Sequence, residues 1–452
     1  MDRLLICNAR IVNEGHIIEG DVLIENGRIT GVGYVSASGV TKEQTLDADG
    51  KFLLPGMIDH QVSFREPGMT LIADMASESC AAVAGGVTSF LDLPDAVDGT
   101  GTPEAIEEKK QLAKGRSRAN FGFYMGAVRE NPDLIAALDP RKVCAVNVYM
   151  GGDDSENRLL DDAEILESVF KSSPVIVAAH CEDMPTILEN EESYRSIYDD
   201  NVPLEFHPTI RSEAACVLSA ELALDLAAQY ETRLHLMQVS TAAEVELLSD
   251  ALLSEKKVTA GVSVPFLHFS DEDYASRGAL IKNNPAIKTA EDRAGLIQAL
   301  MDGRLDVAGS GHTPQDWERK NSGNYFAIPS GMPMVQCGLL TLLENYHDGI
   351  FSLELIAQKT SHSVADLFDI HERGYIREGC WADLVLVDVE KGRVATHGSS
   401  LSRCGWTPFD GYKFRSTIAS TIVNGQLVWH DGRIQDIKPG GMALEYDRAG
   451  PA

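Results

Sequence analysis

The sequence predicts an α/β protein: a (β/α)8 barrel carried between the two halves of a small β domain built from both chain ends. Three observations carry that prediction. Through the middle of the chain, eight apolar β-type segments alternate with stretches whose apolar residues recur at helical spacing. Eight such units over roughly 300 residues fit a closed parallel barrel with its working face at the strand C-terminal ends. Finally, short alternating strands separated by glycine turns occur at both ends of the chain and nowhere between, so the two ends are expected to pack as one domain.

At the N-terminal end the strands are LLICNARIV, GDVLIENGRITGVG and KFLLPG, broken by Asn-Glu-Gly and Glu-Asn-Gly turns. At the C-terminal end they are ADLVLVDV, from Ala382, and TIASTIVNGQLVWHDGRI, which turns at Asn424 and Gly425. The expected domains are residues 1–54 and 373–452 for the two halves of the β domain and tail, and 55–372 for the barrel. Barrel strands are expected near 56–63, 87–94, 119–125, 143–150, 174–180, 233–240, 258–264 and 305–309, with helices such as 211–229 and 241–253 between them. After the last strand, residues 314–331 form a long polar loop with several glycines, which reads either as a lid over the barrel mouth or as a surface excursion.

The formal net charge of -29 repels nucleic acid and anionic membranes and describes a strongly solvated acidic surface. No apolar run approaches the roughly 18 residues of a membrane span, and the opening MDRLLICNARIVNEG lacks a signal-peptide pattern, so a cytoplasmic protein is expected. The eight cysteines are scattered, with no C-x-x-C pair, as reduced and mostly buried thiols are.

The stretch 54–68, LPGMIDHQVSFREPG, is an apolar strand running into a polar Arg-Glu-Pro-Gly turn. It resembles the first barrel strand of the dihydroorotases, the cyclic-amide branch of the amidohydrolase superfamily, whose pattern is D-x-H-x-H-x-R-E-P-G. The resemblance implies a TIM barrel of amidohydrolase type and a zinc centre at its mouth, and it extends over nearly the whole chain. Ala179-His180-Cys181-Glu182 matches the family's H-C-E, Leu234-His235 through Gln238 to Ser240-Thr241 resembles L-H-x-x-H-x-S-T, and Ser310-Gly311-His312-Thr313-Pro314-Gln315 stands where the family has T-D-H-A-P-H. Near the C-terminus Gly405-Trp406-Thr407-Pro408-Phe409 resembles G-W-x-P-F.

Set against this pattern, the metal ligands are largely replaced. Gln61 and Ser63 occupy the two histidine positions of the first strand, Asn147 the position of the lysine that is carbamylated in many members, Gln238 that of the sixth-strand histidine, and Gly311 that of the catalytic aspartate. Only His180 keeps a ligand type, so five of the six positions are substituted. His60, one residue out of register, is expected on the outside of the barrel. A catalytic zinc takes about three protein ligands, and without it bound water loses an advantage of roughly nine pKa units, on the order of 12 kcal/mol.

The substrate-holding positions implied by the resemblance are partly kept. Arg65 is present, and Lys282-Asn283-Asn284-Pro285-Ala286-Ile287-Lys288 resembles K-x-N-P-x-x-R, leaving Asn284 as a ligand contact. Asp95 replaces the asparagine expected to help Arg65 clamp a carboxylate, so Arg65 is read as either a ligand contact or the partner of Asp95 or Glu66. The expectation is a dihydroorotase-like protein of pyrimidine biosynthesis that needs no cofactor, has lost its metal centre and serves in assembly or regulation. Its expected partners are a second copy, aspartate transcarbamoylase or an active dihydroorotase, with dihydroorotate or carbamoyl aspartate as candidate ligands. The alternative is an active dihydroorotase or other cyclic-amide hydrolase with a rearranged zinc site drawn from Asp59, His60, His180, Glu182 and His312.

Overall fold

A computed structural model describes residues 3–36, 38–94, 100–151 and 163–450. The chain opens with β1 (Arg3–Asn13), β2 (His16–Glu25), β3 (Arg28–Gly33), β4 (Thr45–Asp47) and β5 (Phe52–Pro55). The β1–β2 and β2–β3 hairpins turn on Glu14-Gly15 and Asn26-Gly27, all four with positive φ, the geometry a two-residue hairpin turn needs.

The barrel strands follow as β6 (Met57–Val62), β7 (Val87–Asp92), β8 (Asn120–Phe123) continued by β9 (Met125–Gly126), β10 (Val146–Tyr149), β11 (Val177–His180), β12 (Leu234–Met237), β13 (Val258–Ser263) and β14 (Val307–Gly309). Each falls within an expected segment except β9, which runs one residue past 119–125. They pair in parallel in chain order. A bridge between Val62 and His312 closes the ring, and Cys144 N–H donating to Phe123 O joins its two arcs. The helix expected over 211–229 is present as Glu213–Tyr230, started by the Ser212 hydroxyl on Ala215 N. The helix expected over 241–253 is only one turn, Ala242–Val245, after which Leu247 and Leu248 pack on the core from an irregular chain.

The rest of the β domain is β15 (Leu384–Asp388), β16 (Arg393–Val394), β17 (Lys413–Phe414), β18 (Thr417–Val423), β19 (Gln426–His430) and β20 (Arg433–Ile434). One sheet of order β20-β19-β18-β15-β5-β1-β2-β3 unites both chain ends, joined where β15 pairs antiparallel with β5. Asp383 ties this sheet to the barrel, accepting from Arg373 and from the Asn120 amide of β8. The tail then leaves the sheet and returns to the barrel. Leu444 and Tyr446 join the buried cluster of Ile58, Leu91, Tyr124 and Phe368, and the Arg448 guanidinium donates to the carbonyls of Pro140, Val143, Cys144 and Phe368.

The loop 314–331 is neither a free lid nor a loose excursion. Two buried lysines pin it: Lys282 Nζ donates to Tyr325 O and Ile328 O at 2.6 and 2.7 Å, and Lys320 Nζ to Lys282 O and Pro329 O at 2.8 and 2.9 Å. The Trp406 indole N–H adds a bond of 2.8 Å to Gln315 O.

Candidate functional site

His180 ends β11 and lies buried among polar groups contributed by three elements. Its Nδ1 is 3.2 Å from Gln238 Oε1 and its Nε2 3.1 Å from Glu182 Oε2. Both ring nitrogens thus lie within hydrogen-bond distance of a side-chain oxygen. Glu182 Oε2 also accepts from Arg211 at 2.7 Å. Burial alone would push the Glu182 carboxyl up, but the Arg211 charge and the His180 hydrogen bond hold it at about 2.

The neighbouring positions also carry hydrogen bonds, although Asn147 Oδ1 is buried without a partner. Asn147 Nδ2 donates to Ala178 O at 3.2 Å and meets Met237 Sδ. Gln61 Oε1 accepts from Ser263 Oγ at 2.8 Å, and Ser63 N–H donates to His312 O at 2.8 Å. Gly311 has φ +67°, and a Cβ built on it would stand 2.7 Å from Ser263 Oγ. His312 Nδ1 accepts from the N–H groups of Met334 and Val335, which fixes the remaining proton on Nε2, donated to Glu78 Oε2 at 3.0 Å.

His60 is inside the barrel, not on its outside as strand alternation predicts. Its Nε2 lies 3.0 Å from where a Cβ on Gly261 of β13 would be, and its ring centroid is 5.6 Å from that of His235 on β12. Neither strand neighbours β6, so these contacts cross the interior. The cause is the β6–β7 pairing, which shifts register between Met57 and Ile58 and again between Asp59 and Val62, so strict alternation fails at this point. Burial drives the His60 imidazole down to about 3 and raises the Asp59 carboxyl to about 6, although Asp59 Oδ1 accepts from Ser310 N at 2.9 Å.

Of the proposed ligand contacts, Arg65 has φ +60° and its Nε donates to Pro314 O at 3.3 Å, while Asn284 is half-buried. The pinned loop touches both regions, since Gly331 N–H donates to Lys282 O. Glu66 pairs with Arg116 at 2.6 Å instead of Arg65. Asp95 lies outside the described residues. Asp92 pairs with buried Lys109 at 2.6 Å. Asp59, Asp92 and Glu182 each have a separate partner.

Sequence reasoning missed Ser263, Glu78 and the role of Arg211. Arg211 stands 29 residues from its partner Glu182, and no local pattern links the two.

A family model described as "Amidohydrolase family" matches residues 52–428. The chain belongs to the amidohydrolase family. Among curated relatives it is similar to the dihydroorotase of Methanosarcina acetivorans, 28% identical over 453 residues covering 97% of this chain and 94% of that one. It is also similar to the dihydroorotase of Halobacterium salinarum, 30% identical over 428 residues covering 93% and 96%. Among solved structures the fold matches the L-hydantoinase (dihydropyrimidinase) of Arthrobacter aurescens with a TM-score of 0.92 at 23% identity, covering 98% of this chain and all of that one. The dihydropyrimidinase of Brevibacillus agri matches with a TM-score of 0.88 at 23% identity, covering 99% and 100%.

The zinc centre that the dihydroorotase resemblance implies does not fit the residues of this amidohydrolase. Among the described residues no three His, Cys, Asp or Glu side chains converge to hold a metal ion. The five residues of the rearranged site are dispersed: His60 packs against His235, His180 and Glu182 bind each other, His312 binds Glu78, and Asp59 caps Ser310. Among the described residues no helix is long and apolar enough to cross a membrane.

Proposed function

We propose that this dihydroorotase-like amidohydrolase is a non-catalytic homologue with a structural or regulatory role in pyrimidine biosynthesis. Its partners are a second copy, aspartate transcarbamoylase or an active dihydroorotase. The observation that carries the reading is the closure of His180: the one retained ligand side chain has both nitrogens engaged, by Gln238 and by a Glu182 already tied to Arg211. A scaffold kept across 93% to 97% of its length beside dihydroorotases, with its one retained ligand side chain engaged by its neighbours, suits assembly better than hydrolysis.

Two measurements test it. Elemental analysis and dihydroorotate turnover of the purified protein are expected to give no stoichiometric zinc and no metal-dependent hydrolysis. Light scattering of mixtures with aspartate transcarbamoylase or an active dihydroorotase is expected to show a complex at micromolar concentration. Zinc together with turnover would overturn the non-catalytic reading, and absence of any complex would overturn the assembly role.

A further inference from the structure

We infer that Ser263 is the residue that keeps the barrel mouth closed to an acid or metal ligand on the eighth strand. The inference rests on the non-catalytic reading and extends it to a residue that no sequence pattern singled out. Ser263 ends β13, is fully buried, and sends its hydroxyl across the mouth to Gln61 on β6, a strand it does not neighbour. On its other side stands Gly311. A Cβ there would lie 2.7 Å from Ser263 Oγ and 2.8 Å from Ser263 Cβ, distances that real side chains do not adopt. Position 311 also has φ +67°, which L residues other than Asn and Asp rarely take.

Gln61, Ser263 and Gly311 are therefore interlocked. Any side chain at 311 displaces Ser263, and displacing Ser263 breaks its bond to Gln61 and leaves a buried amide oxygen unpaired. The clasp joins the first and seventh barrel strands through one hydrogen bond and packs against Gly311, just after the eighth strand, in the place where the dihydroorotase pattern puts a metal. Loss of the acid at 311 is thus a rebuilt contact, one that a single back-substitution does not reverse.

A stability cycle reads this directly. Gly311→Ala is expected to lower Tm by several degrees, and Ser263→Gly in that background to recover the part of the loss that the contact causes, the positive-φ strain remaining, although Ser263→Gly alone lowers Tm. Equal losses from Gly311→Ala with serine or glycine at 263 would overturn the inference. A second readout is cobalt(II) uptake by a chain carrying Gln61→His, Ser63→His, Gln238→His and Gly311→Asp, followed by equilibrium dialysis and visible absorption. Ser263→Gly is expected to improve its cobalt affinity at least tenfold. Equally tight cobalt binding with Ser263 in place would overturn the gatekeeping role. Zinc and turnover in the unaltered protein would instead sink the reading underneath it, so the two failures are distinguishable.

Discussion

Replacing Arg211 with methionine removes the cation that holds Glu182 ionised inside the barrel mouth. The Glu182 carboxyl is held at about 2 against an ordinary 4.5, roughly 2.5 units at about 1.36 kcal/mol each, or about 3 kcal/mol. Because the folded value is depressed, that contribution is complete above 4.5 and is lost only as pH falls toward 2. Without Arg211, burial meets less opposition and the carboxyl moves up from about 2, so the deficit of the variant is largest at neutral pH and shrinks as the solution is acidified. Removing one partner of a buried pair costs about 3–5 kcal/mol. Urea unfolding at about pH 7.5 is therefore expected to show a loss of that size for Arg211→Met, and a smaller loss at about pH 3. Arg211→Met with Glu182→Gln is expected to recover most of the loss at the higher pH. A deficit below about 1 kcal/mol, or one equal at both pH values, would refute the claim that Arg211 and Glu182 form the charge pair that shuts His180.

Further expectations follow from the same contacts. Asp59, raised by burial from 3.8 to about 6, contributes stability below 3.8 that is lost as pH rises through about 6. Asp59→Asn is then expected to match the unaltered protein near pH 4 and exceed it by up to about 3 kcal/mol near pH 8, checked by urea titrations across that range. Gly309→Ala puts a Cβ 2.9 Å from His60 Cε1 and is expected to cost about 1–3 kcal/mol, recovered by His60→Ala; independent effects would mean that His60 is not inside. Lys320→Met leaves Pro329 O without its donor, at about 1–3 kcal/mol, and leaves Lys282 O with the Gly331 N–H alone. Proteolysis within 314–331 is expected to accelerate in that variant, and an unchanged rate would show that the lysine does not pin the loop.

The loop and His60 mark the boundary of what sequence patterns reach. Residues 314–331 read as lid or excursion because they are polar and glycine-bearing, yet two of those polar residues, Lys282's neighbour in space Lys320 and Gln315, are the ones that fasten it, through carbonyls no pattern identifies. His60 was assigned by strand alternation, a rule that holds while register is unbroken. The register shift between Asp59 and Val62 depends on how β6 meets β7, a long-range event. The shortened helix after Thr241 has the same character: Val245, Leu247 and Leu248 find the core without helical spacing.

The sequence by itself determined the barrel, its eight strands and the union of both chain ends, because period-two and 3.6-residue patterns and Asn-Gly turns are local properties that survive in one dimension. It also determined which side chains stand at the strand tips, since side-chain chemistry is read letter by letter. What those side chains do there was decided in three dimensions. Arg211 reaches Glu182, Ser263 reaches Gln61 and Glu78 reaches His312 across 29, 202 and 234 residues, and hydrogen bonds between groups so distant in the chain exist only once the barrel has closed.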